Sequence, residues 1–260
     1  MRIIRGEAEG DSSTGEVAVC LEAENFVAEG LVPMTPAPRG ARELFNIRSG
    51  IRKGCERIVI DLRTEEGTPQ SPGDVRAEVL RELGVVRIEL RDVVTVAPRA
   101  TEAILRGRLA KAVYSVSAPA GEWTFVDIHL GNEAEAAVSA LSDPARVVVD
   151  LRPGGGSLPP PPVSGDRVVV LEPRHGSASY PLTVNGYSRT FEANVVVRLE
   201  QRGEEIETTF TTATAWVDAW GHFSTTVHDG PPGAVRLHVG EYSARDGTWE
   251  GVVIELDMQR

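Results

Sequence analysis

The chain has 260 residues, which exceeds a typical single domain of about 100–150 residues and therefore predicts two domains. Its composition, with 41% hydrophobic and 25% charged residues, 26 glycines and 17 prolines, is that of a globular protein and favours an all-β fold with many turns. The net charge of −11 argues against nucleic acid as a partner, which needs a basic face, and against docking on anionic lipid.

Neither a membrane-spanning segment nor a leader is predicted. The sequence has no run of about 18 apolar residues, the length that a transmembrane helix needs. Its first six residues, M-R-I-I-R-G, are charged but lack the apolar region of a signal peptide.

Residues 1–39 are predicted to be an N-terminal extension with one strand. The first 15 residues are polar and rich in glycine, glutamate and serine, which favours a loosely attached start. Residues 16–21 alternate like a strand, and residues 30–39 follow. These two pieces bear a short, weak resemblance to the opening strand of the GerMN domain, a germination-associated module.

A first β-domain is predicted over residues 40–153. Apolar runs predict strands at 44–50, 56–62, 85–96, 112–117, 123–130 and 146–151.

Residues 73–83 allow two interpretations. A helix would place Val75, Val79 and Leu83 on one face and end at a glycine. A strand would place Val75, Ala77 and Val79 on one face. We favour the strand because the surrounding segments are strands.

Two runs in this first domain carry a family resemblance. They are R-I-V-I-D-L at 57–62 and D-P-A-R-V-V-V-D-L at 143–151. Residues 40–153 resemble the AMIN and AMIN-like domains, β-sandwiches of bacterial cell-envelope proteins, which implies a role in binding the cell wall or a neighbouring protein. Residues 63–110 depart from that pattern, so the resemblance does not assign a binding surface in this stretch.

The glycine–proline segment at 154–165 is predicted to be a linker. Three glycines come first and give free rotation, and four consecutive prolines then favour an extended spacer.

The second domain is predicted over residues 166–260 as an immunoglobulin-like β-sandwich. Gly186 is predicted to form a tight turn that leads into an apolar strand. Seven short strands at regular spacing support the sandwich. They are predicted at 168–171, 182–187, 193–201, 205–211, 221–227, 235–242 and 249–256.

The second domain resembles the bacterial spore germination immunoglobulin-like domain. The matching features are G-x-S-x-x-F-E-A-N-V at 186–195, Pro173 and Pro181 before it, and Y-S-A-R-D-G at 242–247. The resemblance covers 168–258 and implies a binding or structural module of exported envelope proteins. An exported protein has a leader, which this sequence would then lack.

The two cysteines, Cys20 and Cys55, form no C-x-x-C pair and lie beside no metal-spaced histidine. An oxidising envelope would allow a structural disulfide between them. We favour two buried or half-buried thiols.

Residues that could carry chemistry do not form a recognisable site. The five histidines lack H-x-x-x-H spacing and are predicted on surfaces or strand edges; Asp127 and His129 share a strand face but lack a third metal ligand. The paired acids at 65–66 and at 133 and 135 are interpreted as surface residues rather than a glycosidase dyad. No catalytic residue, metal or cofactor is predicted, and the protein is predicted not to be an enzyme.

Two sets of residues are candidates for binding. Trp216, Trp220 and Phe223 surround a turn, where they form either buried core or a surface that stacks on sugar rings or anchors a partner protein. Arg57 and Arg146 each precede an apolar strand that ends in aspartate. They are either structural or recognise carboxylates of peptidoglycan stem peptides.

Taken together, these features predict two all-β sandwich domains that act outside the cytoplasm as a non-catalytic envelope module. Its expected partner is peptidoglycan or an envelope protein. The alternatives are a structural stalk or adhesin segment of an exported protein, and a cell-wall hydrolase.

Overall fold

The computed structural model describes residues 19–34, 40–64, 67, 71–118 and 122–259. They group into two compact units. The first holds the described residues up to Ser115 and from Glu122 to Pro159, and the second holds those of Val116–Gly121 and those from Pro160 onward. Both units are built of strands, which confirms the prediction of an all-β fold.

The first unit contains eleven strands among its described residues and three short 3-10 helices. The strands are β1 (Gly30–Val32), β2 (Glu43–Arg52), β3 (Cys55–Arg63), β4 (Val75–Leu80), β5 (Val85–Leu90), β6 (Thr95–Val96), β7 (Glu102–Ile104), β8 (Ala110–Ser117), β9 (Thr124–Leu130), β10 (Ala134–Leu141) and β11 (Arg146–Pro153), with the last two residues of β8 grouped with the second unit. The 3-10 helices are Ala23–Asn25, Arg81–Leu83 and Pro98–Ala100.

These strands form two sheets that enclose one core. One sheet has the order β1-β4-β5-β9-β8, with β7 beside β8, and the other has the order β10-β11-β3-β2-β6. Alternation decides which side chains face the core, because successive residues of a strand point to opposite faces. In β3 the residues directed into the core are Ile58, Ile60 and Leu62, and in β11 they are Val147, Val149 and Leu151.

The preference for a strand over a helix at residues 73–83 is confirmed. Val75, Ala77 and Val79 of β4 are buried on one face. The helix-like end of the segment is a single 3-10 turn at Arg81–Leu83, which stops at Gly84 with a left-handed φ of 63°.

Two predictions in the first unit differ from the structure. The long run predicted at 85–96 breaks after β5, and only β6 resumes it. Strand β10 was not predicted, because its residues A-E-A-A-V-S-A-L are mostly small and carry little β-propensity of their own. Of the strand predicted at 16–21, residues 16–18 lie outside the described residues, and 19–21 are not in a strand.

Part of the segment predicted to be a linker packs against the first unit. Arg81 hydrogen-bonds the Gly156 carbonyl, and Leu158 packs against the core. The division between the units falls between Pro159 and Pro160.

The second unit contains nine further strands among its described residues. They are β12 (Val163–Ser164), β13 (Val168–Glu172), β14 (Gly176–Ala178), β15 (Leu182–Ser188), β16 (Asn194–Gln201), β17 (Glu204–Thr212), β18 (Trp220–Val227), β19 (Gly233–Tyr242) and β20 (Trp249–Met258). One sheet has the order β18-β15-β13-β12 and the other β14-β20-β19-β16-β17. All seven predicted strands are present, and their apolar faces form one core.

The turn predicted at Gly186 is wrong. Gly186 lies inside β15, between Val170 on β13 and Phe223 on β18. A Cβ atom at this position would overlap the Val169 carbonyl oxygen, so the glycine permits close approach of two backbones rather than a turn. The turn comes later, where Glu192 and Ala193 adopt φ values of 54° and 58°.

Candidate functional site

Two strands of the first unit carry the same pattern, an arginine followed four residues later by an aspartate. They are β3, with Arg57 and Asp61, and β11, with Arg146 and Asp150. The two strands are antiparallel neighbours, and their register places Arg57 opposite Asp150 and Arg146 opposite Asp61. All four side chains therefore share the outer face of the sheet, with the two arginines about 13 Å apart along it.

The first of these pairs is a buried, bidentate ion pair. Arg57 donates through Nε to Asp150 Oδ1 at 2.7 Å and through Nη2 to Oδ2 at 2.8 Å. Asp150 is fully buried, and its Oδ2 also accepts from the Leu21 backbone N–H at 2.6 Å. The hydrogen bonds to Asp150 raise the pKa of Arg57 above its usual value. Arg57 thus has a structural role on this face.

The second pair does not form. Asp61 is instead held by Arg48, with both contacts at 2.8 Å, and by the Asn46 amide at 3.3 Å. The Arg146 side chain is half-buried, and no hydrogen bond or ion pair to another described residue holds its guanidinium. Arg146 is therefore available to an external carboxylate.

Arg57 also lines a cleft of about 320 Å³ at the end of β2 and the start of β3. The other walls come from the loop after β7, including Leu105 and Arg106. The hydrogen bonds of Arg57 to described residues use Nε and Nη2, and its side chain lies on the outer face of the sheet with Asp150.

The preference for two thiols is wrong, because Cys20 and Cys55 form a disulfide. The two Cα atoms lie 6.1 Å apart, within the range of such a bond. Backbone contacts bring the cysteines together: the Val19 carbonyl accepts from Arg57, and the Leu21 N–H binds Asp150. This path of residues 19–21 across the sheet could not be deduced from cysteine spacing.

The structure separates the three predicted aromatic site residues. Trp220 and Phe223 are almost fully buried in β18, so they do not offer a ring face to a partner. Trp216 is 53% exposed on the loop before β18. Its ring meets the exposed ring of Phe191 edge-on at 6.0 Å between centroids. Phe191 was not among the predicted site residues, although its place in the F-E-A-N-V run was a usable signal.

The prediction that the histidines lie on surfaces or edges is wrong for His129 and His238, which are both buried. The His129 ring packs on Tyr114 at 4.9 Å between centroids. The neighbouring Asp127 is fully buried and binds Arg87 through both carboxylate oxygens, at 2.8 and 2.7 Å. The Asp127 carboxylate is therefore part of an ion pair with Arg87.

His238 lies in a polar network on the outer face of the second unit. Its Nδ1 faces Arg198 Nη2 at 3.3 Å, and its Nε2 faces Glu200 Oε2 at 3.2 Å. Burial lowers the pKa of His238, and the charge of Arg198 lowers it further. The His238 ring therefore stays neutral at a lower pH than an ordinary histidine ring does.

The acids considered for catalysis do not form a pair. Glu135 is bound by Arg152 at 2.6 Å, and residues 65–66 lie outside the described residues. Only Cys20, Cys55 and Asp150, within the part of the chain that the structure describes, have side-chain atoms grouped closely enough for a metal. The two sulfurs are already joined to each other, so this group does not fit a metal ion.

Residues 167–248 match the family model of the immunoglobulin-like domain of bacterial spore germination. Domains of this kind are typically binding or structural modules. Comparison with curated proteins and with solved structures gave no match. In the described ranges, no helix has the length and hydrophobicity that crossing a bilayer requires.

Proposed function

We propose that the chain is a non-catalytic module of the bacterial cell envelope that contacts peptidoglycan through its first unit. The observation that carries this proposal is the match of residues 167–248 to the immunoglobulin-like spore germination domain. On this proposal, residues 40–153 are an AMIN-like domain, 154–165 a linker and 166–260 the immunoglobulin-like domain.

The Cys20–Cys55 disulfide supports a location outside the cytoplasm. Structural disulfides form and persist in oxidising compartments and are rare in the cytosol, where thiols are kept reduced. A second unit of a family associated with germination and a disulfide in the first unit are both consistent with an envelope protein.

The outer face of the first unit supplies the contact with the wall. Stem peptides of peptidoglycan carry carboxylates, and the guanidinium fork of arginine matches a carboxylate with two parallel hydrogen bonds. Arg146 has no acid among the described residues to occupy it, and Arg57 keeps one nitrogen unused. These two residues would receive stem-peptide carboxylates.

Sedimentation with purified peptidoglycan tests this contact. Arg146→Ala should lower the affinity at least tenfold, because a hydrogen-bonded charge pair contributes about 1.5–3 kcal/mol. Arg202→Ala is the matched control, since Arg202 is an exposed arginine on a turn of the second unit. Equal sedimentation of the Arg146 variant and the wild-type chain would contradict the contact.

The exposed rings of Phe191 and Trp216 favour an additional partner, an envelope protein bound by the second unit. Aromatic side chains provide much contact area at low entropic cost and dominate many interfaces. Trp216→Ala should reduce recovery of the partner from solubilised envelope without changing the melting temperature. Unchanged recovery would remove this surface from consideration.

A further inference from the structure

The first unit has a second cleft beside the one that contains Arg57. This open cleft has a volume of about 730 Å³ and is lined by arginines at 52 and 108, by Asn132 and Glu133, and by apolar groups that include Leu109 and Leu158. Ile51 and Glu56 line both clefts. The two clefts are therefore neighbours that meet at these two residues.

Glu56 holds the loop that lines both clefts in place. Its carboxylate accepts hydrogen bonds from the backbone N–H groups of Arg108, Leu109 and Ala110, the last two at 3.0 and 3.1 Å. Gly107 permits this approach, because a Cβ atom there would overlap the Glu56 carboxylate. Glu56, the one acid that lines both clefts, is thus hydrogen-bonded to the backbone of the loop.

Three arginines of the two clefts are not committed to acids. Arg52, Arg106 and Arg108 are exposed, and no ion pair with a described residue occupies any of them. Acidic residues outnumber lysines and arginines by 38 to 27 in this chain. Other arginines do pair with acids, including Arg48, Arg57, Arg63, Arg87, Arg91, Arg152, Arg236 and Arg245. Three exposed arginines against one exposed acid, Glu133, leave the lining positively charged, which favours an anionic ligand.

Apolar groups between the charges narrow the chemistry of that ligand. Ile51 is 70% exposed on the boundary between the two clefts, and Leu105 and Leu109 line their walls. A phosphate polymer has little apolar surface to bury against them, whereas a peptide has both carboxylates and apolar side chains.

We propose that the two clefts form one binding groove for a short peptide with two carboxylates. One carboxylate binds Arg106, the other binds Arg52 and Arg108, and an apolar side chain lies on Ile51. This inference deepens the proposed contact with peptidoglycan and rests on it for the source of the peptide.

Isothermal titration calorimetry of the full chain tests the groove with the synthetic peptide Ala-Glu-Ala-Ala, which carries a side-chain and a terminal carboxylate. We expect saturable binding that weakens with salt, since exposed charges are screened. The same peptide with glutamine and an amidated terminus should bind at least tenfold more weakly. Pyrophosphate that binds more tightly than the peptide would overturn the assignment to a peptide.

Charge-neutralising variants locate the binding. Arg106→Gln and Arg108→Gln should each weaken peptide binding roughly tenfold, the loss of one charge-assisted contact. Arg202→Gln in the second unit should bind as the wild-type chain does. All three arginines are exposed, so their substitution should leave the melting temperature unchanged. An unchanged melting temperature shows that each variant is folded. Absence of peptide binding, or binding that both groove variants retain, would overturn the proposal.

Sedimentation with peptidoglycan separates this inference from the function on which it rests. If the wild-type chain binds peptidoglycan and the Arg106→Gln/Arg108→Gln double variant does so equally, the groove is wrong and the proposed function stands. If the peptide binds in the groove and peptidoglycan does not sediment the chain, the groove stands and the proposed function is wrong.

Discussion

At the scale of single residues, the first unit shows how one sequence pattern leads to two different outcomes. Arg57 and Arg146 occupy equivalent places in antiparallel strands, yet only Arg57 binds the aspartate opposite it. Because Asp150 is fully buried, a variant that removes Arg57 would leave an unpaired buried charge and cost about 3–5 kcal/mol of stability. Binding is therefore better tested at Arg146, whose loss leaves no such charge.

His238 should make stability depend on pH. Its pKa in the folded state lies below the usual value of about 6.5, so the unfolded chain binds more protons between the two values. The contribution of neutral His238 to the free energy of unfolding is therefore complete above about pH 6.5. It decreases as the pH drops towards the folded-state pKa. Urea unfolding followed from about pH 7.5 to 5.5 should show this decline.

Two histidine variants isolate that effect. Several charged groups face His238, including Arg198, Glu200 and Arg236. His238→Gln should flatten the decline, whereas His228→Gln, at an exposed site, should keep it. A His238→Gln chain with the full wild-type pH dependence would show that another group is responsible.

At the scale of elements, the disulfide ties the residues before β1 to the start of β3. The cross-link spans 35 residues, and the chain-entropy model gives about 4 kcal/mol for a loop of this length. We expect Cys20→Ser/Cys55→Ser to lower the free energy of unfolding of the first unit by about that amount. Urea unfolding measures the loss, and adding reductant should change the wild-type chain but not the double variant. A loss below about 1 kcal/mol would contradict the expected stabilisation.

Gly186 tests the close approach of β13 and β15. Gly186→Ala should destabilise the second unit by about 3 kcal/mol, because its Cβ has no room beside the Val169 carbonyl. Thr183→Ala, an exposed site in the same strand, should change the unfolding free energy little. Thermal unfolding of both variants measures the difference. Equal melting temperatures of the Gly186→Ala and Thr183→Ala chains would contradict the steric argument.

Sequence patterns located strands where β-branched residues alternate, as in β3, β11 and β16. They missed β10, whose small residues take their conformation from pairing with β11. The sequence patterns also missed the burial of His238. A polar residue in a strand is predicted to face solvent unless the side chains that hydrogen-bond to it are known. Tertiary contacts of residues 19–21 place Cys20 beside Cys55. The spacing of the two cysteines in the sequence does not reveal these contacts.

At the scale of the whole molecule, two compact β units each have their own core, which agrees with the fold class expected from length and turn content. The candidate site was predicted only in part. Arg57 and Arg146 were identified from their shared pattern, whereas Arg52 lies at the end of β2 and Arg106 and Arg108 lie in the loop after β7, about 55 positions further along the chain. Such convergence depends on the packing of β2 and β3 against the loop after β7.

The most direct test of the central claim is to incubate the chain with purified peptidoglycan and measure both the sedimented protein and the soluble wall fragments. Our account predicts saturable sedimentation with no release of fragments above the protein-free control. A chain that stays in the supernatant at excess wall, or that releases fragments in proportion to its concentration, would contradict it.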